Sequence, residues 1–131
     1  MKDFLKNIIL LVIVLFLSYF TAEYFGSWYD YFVPQYDNSL LSLSREGIFT
    51  LVGIPFAYIF FLIIVFQLFG SNNKNKWILA LLIPPTLLWL SIDPNHIYLP
   101  LILGFIAFGF SQLINILISK FKHLNPPIVL K

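Results

Sequence analysis

Few side chains in this sequence could do chemistry, and most of them lie outside the long apolar runs. A group on one side of those runs could in principle gather around a cation: Tyr29, Asp30, Asp37, Asp93 and His96. Their spacing does not match a calcium-binding loop, which takes its ligands from one short segment. We therefore predict no metal site and expect these carboxylates to be hydrated.

Catalysis and cofactor binding also lack the residues that they require. The chain has no cysteine, which excludes thiolate ligands and cysteine nucleophiles. His96 and His123 lie in a predicted loop and in the tail, where neither can serve as an intramembrane axial ligand of haem. No acidic or basic residue falls near the middle of an apolar run, and no nucleophile–base pair is evident. We predict that the protein is not an enzyme and holds no cofactor.

The composition indicates the environment in which these residues must be positioned. Of the 131 residues, 60% are hydrophobic and 11% are charged, and the mean hydropathy is +0.87. A soluble domain carries about 25% charged residues, so this chain is predicted to be an integral membrane protein. The length fits one membrane domain, residues 1–131. The net charge of +2 is too small for a nucleic-acid-binding surface.

Four apolar runs predict an all-α fold, an integral membrane four-helix bundle, because runs near 20 residues form helices in a bilayer. An outer loop of about residues 23–47 is predicted between the first two helices. The predicted helices cover about residues 4–22, 48–69, 77–92 and 97–118.

The third predicted helix is short and contains Pro84 and Pro85 at its middle. These prolines leave the carbonyls of Ala80 and Leu81 without their helical donors, so we expect a kink or break here. The freed carbonyls could be satisfied by a neighbouring side chain or by water. Alternatively, they could line a substrate site, as broken helices do in some transporters.

Small and polar residues recur at helical spacing on the fourth and second helices. Such faces allow two helices to approach closely and to form hydrogen bonds across the contact. We expect helices two and four to pack together, with a homo-oligomer or partner contact as the alternative. The predicted packing face comprises Thr50, Gly53, Ala57, Gly104, Ala107, Ser111, Gln112, Asn115 and Ser119.

The predicted outer loop begins with a series of aromatic residues. Aromatic rings with a polar tip prefer the headgroup region of a bilayer, so an interfacial anchor is expected. A docking surface for a partner is the alternative. The residues that carry this prediction are Tyr24, Trp28, Tyr29, Tyr31 and Tyr36.

The lysines predict the orientation of the helices. All of them fall on one side of a four-span chain, and only Arg45 falls on the other. Because basic loops stay in the cytoplasm, both termini are predicted to be cytoplasmic, and a bacterial inner (cytoplasmic) membrane is the expected location. The lysines concerned are Lys2, Lys6, Lys74, Lys76, Lys120, Lys122 and Lys131.

These features favour a non-enzymatic accessory or scaffold subunit of a membrane complex. The expected partners are the lipid bilayer and either other membrane proteins or a second copy of the chain, with no nucleic acid. The alternative is a small oligomeric transporter, channel or lipid-handling protein. It would use the broken third helix and the polar face of the fourth.

Overall fold

The computed structural model describes residues 1–33 and 45–124, without the side chains of residues 45 and 46. The described residues form four α-helices, and a short 3-10 turn, Pro94–His96, precedes the last of them. All four helices are long and apolar enough to cross a membrane, which confirms the predicted all-helical chain with four such helices. The helices are α1 (Lys2–Phe32), α2 (Arg45–Phe69), α3 (Lys74–Ile92) and α4 (Tyr98–Leu124).

Helix α1 is longer than the sequence predicts. It spans 31 residues and ends at Phe32, whereas the prediction ends it at residue 22. The extension is helical because one face continues to be buried, through Ala22, Gly26 and Tyr29, at the spacing of successive helical turns. The first part of the predicted outer loop is therefore helix.

The helices alternate in direction and gather around α2, which contacts α1, α3 and α4. At one end of the bundle, Asn7 of α1 contacts Ser71, in the connection between α2 and α3. At the other end, Tyr29 contacts Asp93, which follows α3. The start of α1, the α2–α3 connection and the end of α4 therefore lie at the same end of the bundle.

All four helices contribute to each of two hydrophobic clusters. The larger cluster includes Val14 of α1, Phe66 of α2, Ile78 of α3 and Ala107 of α4. The second cluster lies nearer to Asp93 and comprises Tyr29, Phe56, Trp89, Leu99 and Leu103. The last buried residue of α4 is Ser111, and beyond it only residues 114 and 115 are half-buried. Helix α4 is therefore packed over its first half and exposed over its second.

Helix α3 continues through both of its prolines. It spans 19 residues, three more than predicted, with Pro84 and Pro85 inside it. The Thr86 hydroxyl donates to the carbonyl of Leu82 at 2.7 Å, a local bond that helical Ser and Thr side chains make with the preceding turn. The prolines thus lie within one helix rather than between two segments, while the predicted kink stays a prediction.

Candidate functional site

Three polar side chains meet where α1 ends and the α3–α4 connection begins. The Tyr29 hydroxyl donates a hydrogen bond to Oδ2 of Asp93, and Nδ1 of His96 lies 2.6 Å from the same oxygen. A carboxylate can only accept hydrogen bonds, so Nδ1 carries the proton that points towards Asp93. We call Tyr29, Asp93 and His96 the Asp93 cluster. It ties the last turn of α1 to the connection that leads into α4.

The Asp93 carboxyl is held in its charged form although it is nearly buried. Burial alone raises its pKa, but the hydrogen bonds from Tyr29 and His96, with the charge of His96, outweigh burial and hold the pKa of Asp93 below its ordinary value. The side chain of His96 is 31% exposed, so its ring is accessible to water. The cluster is therefore open to water on the His96 side, whereas the Asp93 carboxylate is nearly enclosed.

An aromatic layer lies beneath the Asp93 cluster. Trp89 is fully buried, and its ring centroid lies 4.5 Å from that of Phe56 and 5.1 Å from that of Tyr29, both edge-on. Among the described residues, only the indole N–H of Trp89 is a buried side-chain polar atom without a hydrogen-bond partner. The neighbouring rings provide only weak π acceptors for it. The layer therefore separates the charged cluster from the apolar core.

The structure brings together only part of the group whose residue types could in principle bind a cation. Tyr29, Asp93 and His96 meet, Asp30 lies on α1, and Asp37 lies outside the described residues. No group of three or more histidine and acidic side chains that could hold a metal ion occurs within the described part of the chain. The arrangement that is present joins two helical segments through one carboxylate oxygen.

A second polar contact joins α1 to the α2–α3 connection at the opposite end of the bundle. The Asn7 amide donates to the Ser71 hydroxyl at 3.0 Å, and the Ser71 backbone N–H donates to the Asn7 amide oxygen at 3.4 Å. Both residues are buried. Next to this Asn7–Ser71 pair, the ammonium group of Lys74 donates to the carbonyl of Gln67 at 2.8 Å, which closes the end of α2.

Between these two polar contacts, α1 and α2 approach until their backbones touch. A Cβ atom placed on Gly53 would overlap the backbone oxygen of Ala22 and crowd the nitrogen of Gly26, and one placed on Gly26 would overlap the carbonyl of Phe49. The small-residue face of α2 therefore includes a close helix contact at Gly53, but Gly53 lies against α1 rather than α4. The reason is that α1 carries a matching run of small residues, at Ser18, Ala22 and Gly26, all buried.

The other predicted members of the α2 face are less informative about pairing. Ala57 is fully buried, and Thr50 is half-buried. Both lie about one turn from Gly53. The close backbone contacts of Gly53 with Ala22 and Gly26 identify its neighbour as α1.

The predicted face of α4 divides into two parts. Ala107 and Ser111 are fully buried, and a Cβ atom on Gly104 would lie 3.5 Å and 3.9 Å from side-chain atoms of Ile63 and Ile59 on α2. This part of the face, which is nearer to Asp93, packs against α2.

The part of the same face that lies nearer to the end of α4 is not packed against another described helix. Gln112 and Ser119 are exposed, and Asn115 is half-buried. The Ser119 hydroxyl donates to the carbonyl of Ile116 at 2.8 Å. In contrast, the amides of Gln112 and Asn115 make no hydrogen bond with any other residue that the structure describes. Two hydrogen-bonding side chains are thus left on an otherwise apolar helix.

The aromatic residues predicted for the outer loop lie on α1 as far as the structure describes them. Tyr24 and Tyr31 are exposed, Trp28 packs against Phe56 with a centroid distance of 5.8 Å, and Tyr29 belongs to the Asp93 cluster. Tyr36 lies outside the described residues. Exposed tyrosines near a helix end are typical of the membrane interface, so the interfacial prediction now applies to helix rather than loop.

Sequence reasoning missed two features of α1. The small residues Ser18, Ala22 and Gly26 follow one another at intervals of four. This spacing is visible in the sequence, but large apolar residues surround it. Asn7 stands between Lys6 and a long apolar run, where a polar residue is ordinary at the end of a membrane helix. Its contact with Ser71 joins residues 64 positions apart, which no local pattern reveals.

Comparison of the chain with protein-family models, with curated proteins and with solved structures finds no match. Its function is therefore inferred from the contacts described above.

Proposed function

We propose that this chain is a non-enzymatic accessory or scaffold subunit of a membrane complex. The observation that supports this most directly is the division of α4, whose first half packs on α2 while residues 112–124 have little cover from the other described helices. The amides of Gln112 and Asn115 on that second half have no hydrogen-bond partner among the residues that the structure describes. Amide groups without partners in their own chain are typical of a membrane helix that associates with another helix.

The hydroxyl groups within the helices support a structural role. Several serine and threonine hydroxyls donate to a carbonyl of their own helix, so those protons are already used in local hydrogen bonds. Such hydroxyls are not presented to a substrate or a base. They are Ser18 to Val14, Thr21 to Leu17, Thr86 to Leu82, Ser91 to Leu87 and Ser111 to Phe108.

The two polar contacts at the ends of α1 suggest where the bilayer lies. Asn7 and Tyr29 are separated by about 33 Å along the helix axis at 1.5 Å per residue, close to the roughly 30 Å thickness of the hydrocarbon core. The Asn7–Ser71 pair and the Asp93 cluster would then lie at opposite surfaces of the core. This position keeps the ionised Asp93 carboxylate near water.

The proposed orientation follows from the charges at those two ends. Lys2, Lys6, Lys74 and Lys76 belong to the end that holds the Asn7–Ser71 pair, and α4 reaches Lys120 at the same end. Because basic residues are retained in the cytoplasm, this end is proposed to face the cytoplasm, with Asp93 on the outer side.

The test of the proposed function is native mass spectrometry of the protein extracted from its source membrane in mild detergent or nanodiscs. A stoichiometric complex with other polypeptides supports an accessory or scaffold role. Extraction of the chain alone, from membranes that contain it at its natural level, contradicts that role.

A second candidate, a small oligomeric transporter or lipid-handling protein, is favoured by one observation. A shallow groove of about 310 Å³ on α3 is lined by Asn73, Lys76, Trp77 and Ala80, and Ala80 is one of the residues whose carbonyl loses its donor to a proline. Purified protein in liposomes should then give flux or lipid transfer that Lys76→Ala reduces. Absence of both activities, in protein whose helicity is intact, excludes this candidate.

A further inference from the structure

We infer that the groove on α3 holds an anionic phospholipid, with the ammonium group of Lys76 against the phosphate of its headgroup. The inference goes beyond the accessory role and does not depend on it, because a lipid binds to the chain with or without a protein partner. It also assigns a lipid that stays bound rather than one that is transported. We call the groove lined by Asn73, Lys76, Trp77 and Ala80 the α3 groove.

The lining residues follow one side of α3 in an order that matches the groups of a phospholipid. Asn73 immediately precedes the helix, and Ala80 lies about 10 Å further along its axis. Asn73 and Lys76 make the first part of the groove polar, Trp77 is a residue type typical of the membrane interface, and Ala80 is apolar. A soluble anion would contact only the polar part, whereas a phospholipid extends from its headgroup to its acyl chains along the whole groove.

The charge of the groove selects an anionic headgroup. The ammonium group of Lys74 already donates to the carbonyl of Gln67 at 2.8 Å. In contrast, Lys76 is exposed, and its ammonium group has no ionic or hydrogen-bonding partner among the residues that the structure describes. The flexible stem of a lysine allows its ammonium group to reach the headgroups from a position on the helix. None of the four lining residues is acidic, so a headgroup with net negative charge is the complementary ligand.

The aromatic side of the α3 groove is held in place by α1. The ring of Trp77 is half-buried, and its centroid lies 5.7 Å from that of Phe4. Trp77 also packs against the larger hydrophobic cluster. A side chain that is already held by its neighbours loses little freedom when a ligand binds. The volume of about 310 Å³ is at the lower end of the range for small-molecule sites, which suits a headgroup and the first part of its chains.

Quenching of tryptophan fluorescence by brominated lipids tests the inference. The protein is placed in liposomes that mix phosphatidylglycerol with phosphatidylcholine of the same acyl chains, and one of the two lipids is brominated at a time. The chain has three tryptophans, so the Trp77→Phe variant identifies the share of the quenching that belongs to Trp77. We expect phosphatidylglycerol to be preferred at Trp77 by about 5-fold, the effect of one lysine close to an anionic headgroup.

Three substitutions separate this site from the general attraction of a basic surface. Lys76→Gln should abolish the preference for phosphatidylglycerol, and Lys76→Arg, which keeps the charge, should retain it. Lys122→Gln is the matched control, because Lys122 is an exposed lysine of α4 at the same end of the bundle and does not line the α3 groove. It should leave the preference unchanged. Circular dichroism should report the same helicity in all three variants, since both positions are exposed.

Three outcomes would overturn the inference. One is equal quenching of Trp77 by the two brominated lipids in the wild-type chain. Another is an equal loss of preference in Lys76→Gln and Lys122→Gln, which would show a diffuse effect of surface charge. The third is a preference that inorganic phosphate abolishes and chloride of equal ionic strength does not, which would show a site for a free anion. The accessory role is decided by the polypeptides that accompany the chain from its source membrane, so the two proposals fail separately.

Discussion

Replacement of Gly53 with alanine is predicted to separate α1 from α2. The added Cβ atom would overlap the carbonyl oxygen of Ala22 and crowd the backbone nitrogen of Gly26. Both are main-chain atoms of a packed helix, so no flexible side chain can turn aside to make room. The two helices must move apart, and the contacts along their shared surface loosen together.

The size of the effect follows from the cost of overpacking a close contact. Extra methyl groups in a well-packed site cost about 1–3 kcal/mol. Alanine is also a better helix former than glycine by about 1 kcal/mol, which acts in the opposite direction. We therefore expect Gly53→Ala to lower the free energy of unfolding, with the intrinsic helix gain concealing part of the steric cost.

The Gly109→Ala variant separates the gain in helix propensity from the steric cost. Gly109 lies within α4, and a Cβ atom placed there has no neighbour within 4 Å. The Gly109→Ala variant therefore gains the helix propensity of alanine without steric overlap. Its free energy of unfolding should be unchanged or slightly higher than that of the wild-type chain. The difference between the two variants measures the overlap between α1 and α2.

The assay is reversible unfolding in mixed micelles, with the fraction of a denaturing detergent raised stepwise and helicity followed by circular dichroism. Gly53→Ala should unfold at a lower denaturant fraction than the wild-type chain, and Gly26→Ala should do the same. Because one separation of the helices relieves both overlaps, the double variant should cost less than the sum of the single variants. Equal stabilities for Gly53→Ala and Gly109→Ala would refute the assignment of this contact.

Three further predictions concern the ends of the bundle. Because hydrogen bonds hold the pKa of Asp93 below that of an unfolded aspartate, about 3.9, its stabilisation should be present above that pH and be lost as pH falls through the folded pKa. Detergent unfolding from pH 6 to 3 should show this loss in the wild-type chain, and an unchanged pH dependence in Asp93→Asn would contradict it. Asn7→Leu should lower stability by about 0.6–2 kcal/mol, the range for hydrogen bonds between membrane helices, whereas Ile9→Leu, at an exposed site on the same helix, should not. In intact spheroplasts, an impermeant maleimide should label Asp30→Cys but not Asn75→Cys, and the reverse pattern would reject the proposed orientation.

The number and positions of the helices could be predicted because each depends on a property summed over many residues. The length and hydropathy of an apolar run decide whether it can cross a bilayer, and single contacts hardly alter that sum. The end of α1 was less predictable. Hydropathy falls where a helix leaves the hydrocarbon core, not where the helix itself ends, and Phe32 lies well beyond that point.

The sequence could not identify which helix each small-residue face contacts. The spacing of Gly53 and Ala57 indicates a close helix contact, but it does not identify the neighbour. That choice depends on the small residues Ser18, Ala22 and Gly26 of α1, which allow the α1 backbone to come into direct contact with Gly53. Ala107 and Ser111 then take the remaining side of α2.

The contacts of the Asp93 cluster were hidden for a different reason. The sequence places Tyr29, Asp93 and His96 on the same side of the membrane, but Tyr29 and Asp93 are 64 residues apart. The edge-on contacts of Trp89 with Tyr29 and Phe56 hold the tyrosine at the height where its hydroxyl meets the carboxylate. Each residue type was visible, whereas their meeting depends on the packing of three helices.

The two polar contacts of α1 differ in charge, and we propose that this difference sets the depth of the bundle in the bilayer. The Asn7–Ser71 pair is neutral and satisfies its own hydrogen bonds, so it can lie just inside the hydrocarbon core at a modest cost. The Asp93 carboxylate is ionised and cannot enter the core without a much larger cost. A thinner bilayer should therefore be accommodated at the Asn7 end, where Lys2 and Lys6 can reach the headgroups, while Asp93 stays at its surface. Fluorescence of an environment-sensitive label should accordingly shift with acyl-chain length when attached near Asn7 and remain constant near His96; a shift at His96 alone would show that the other end fixes the depth.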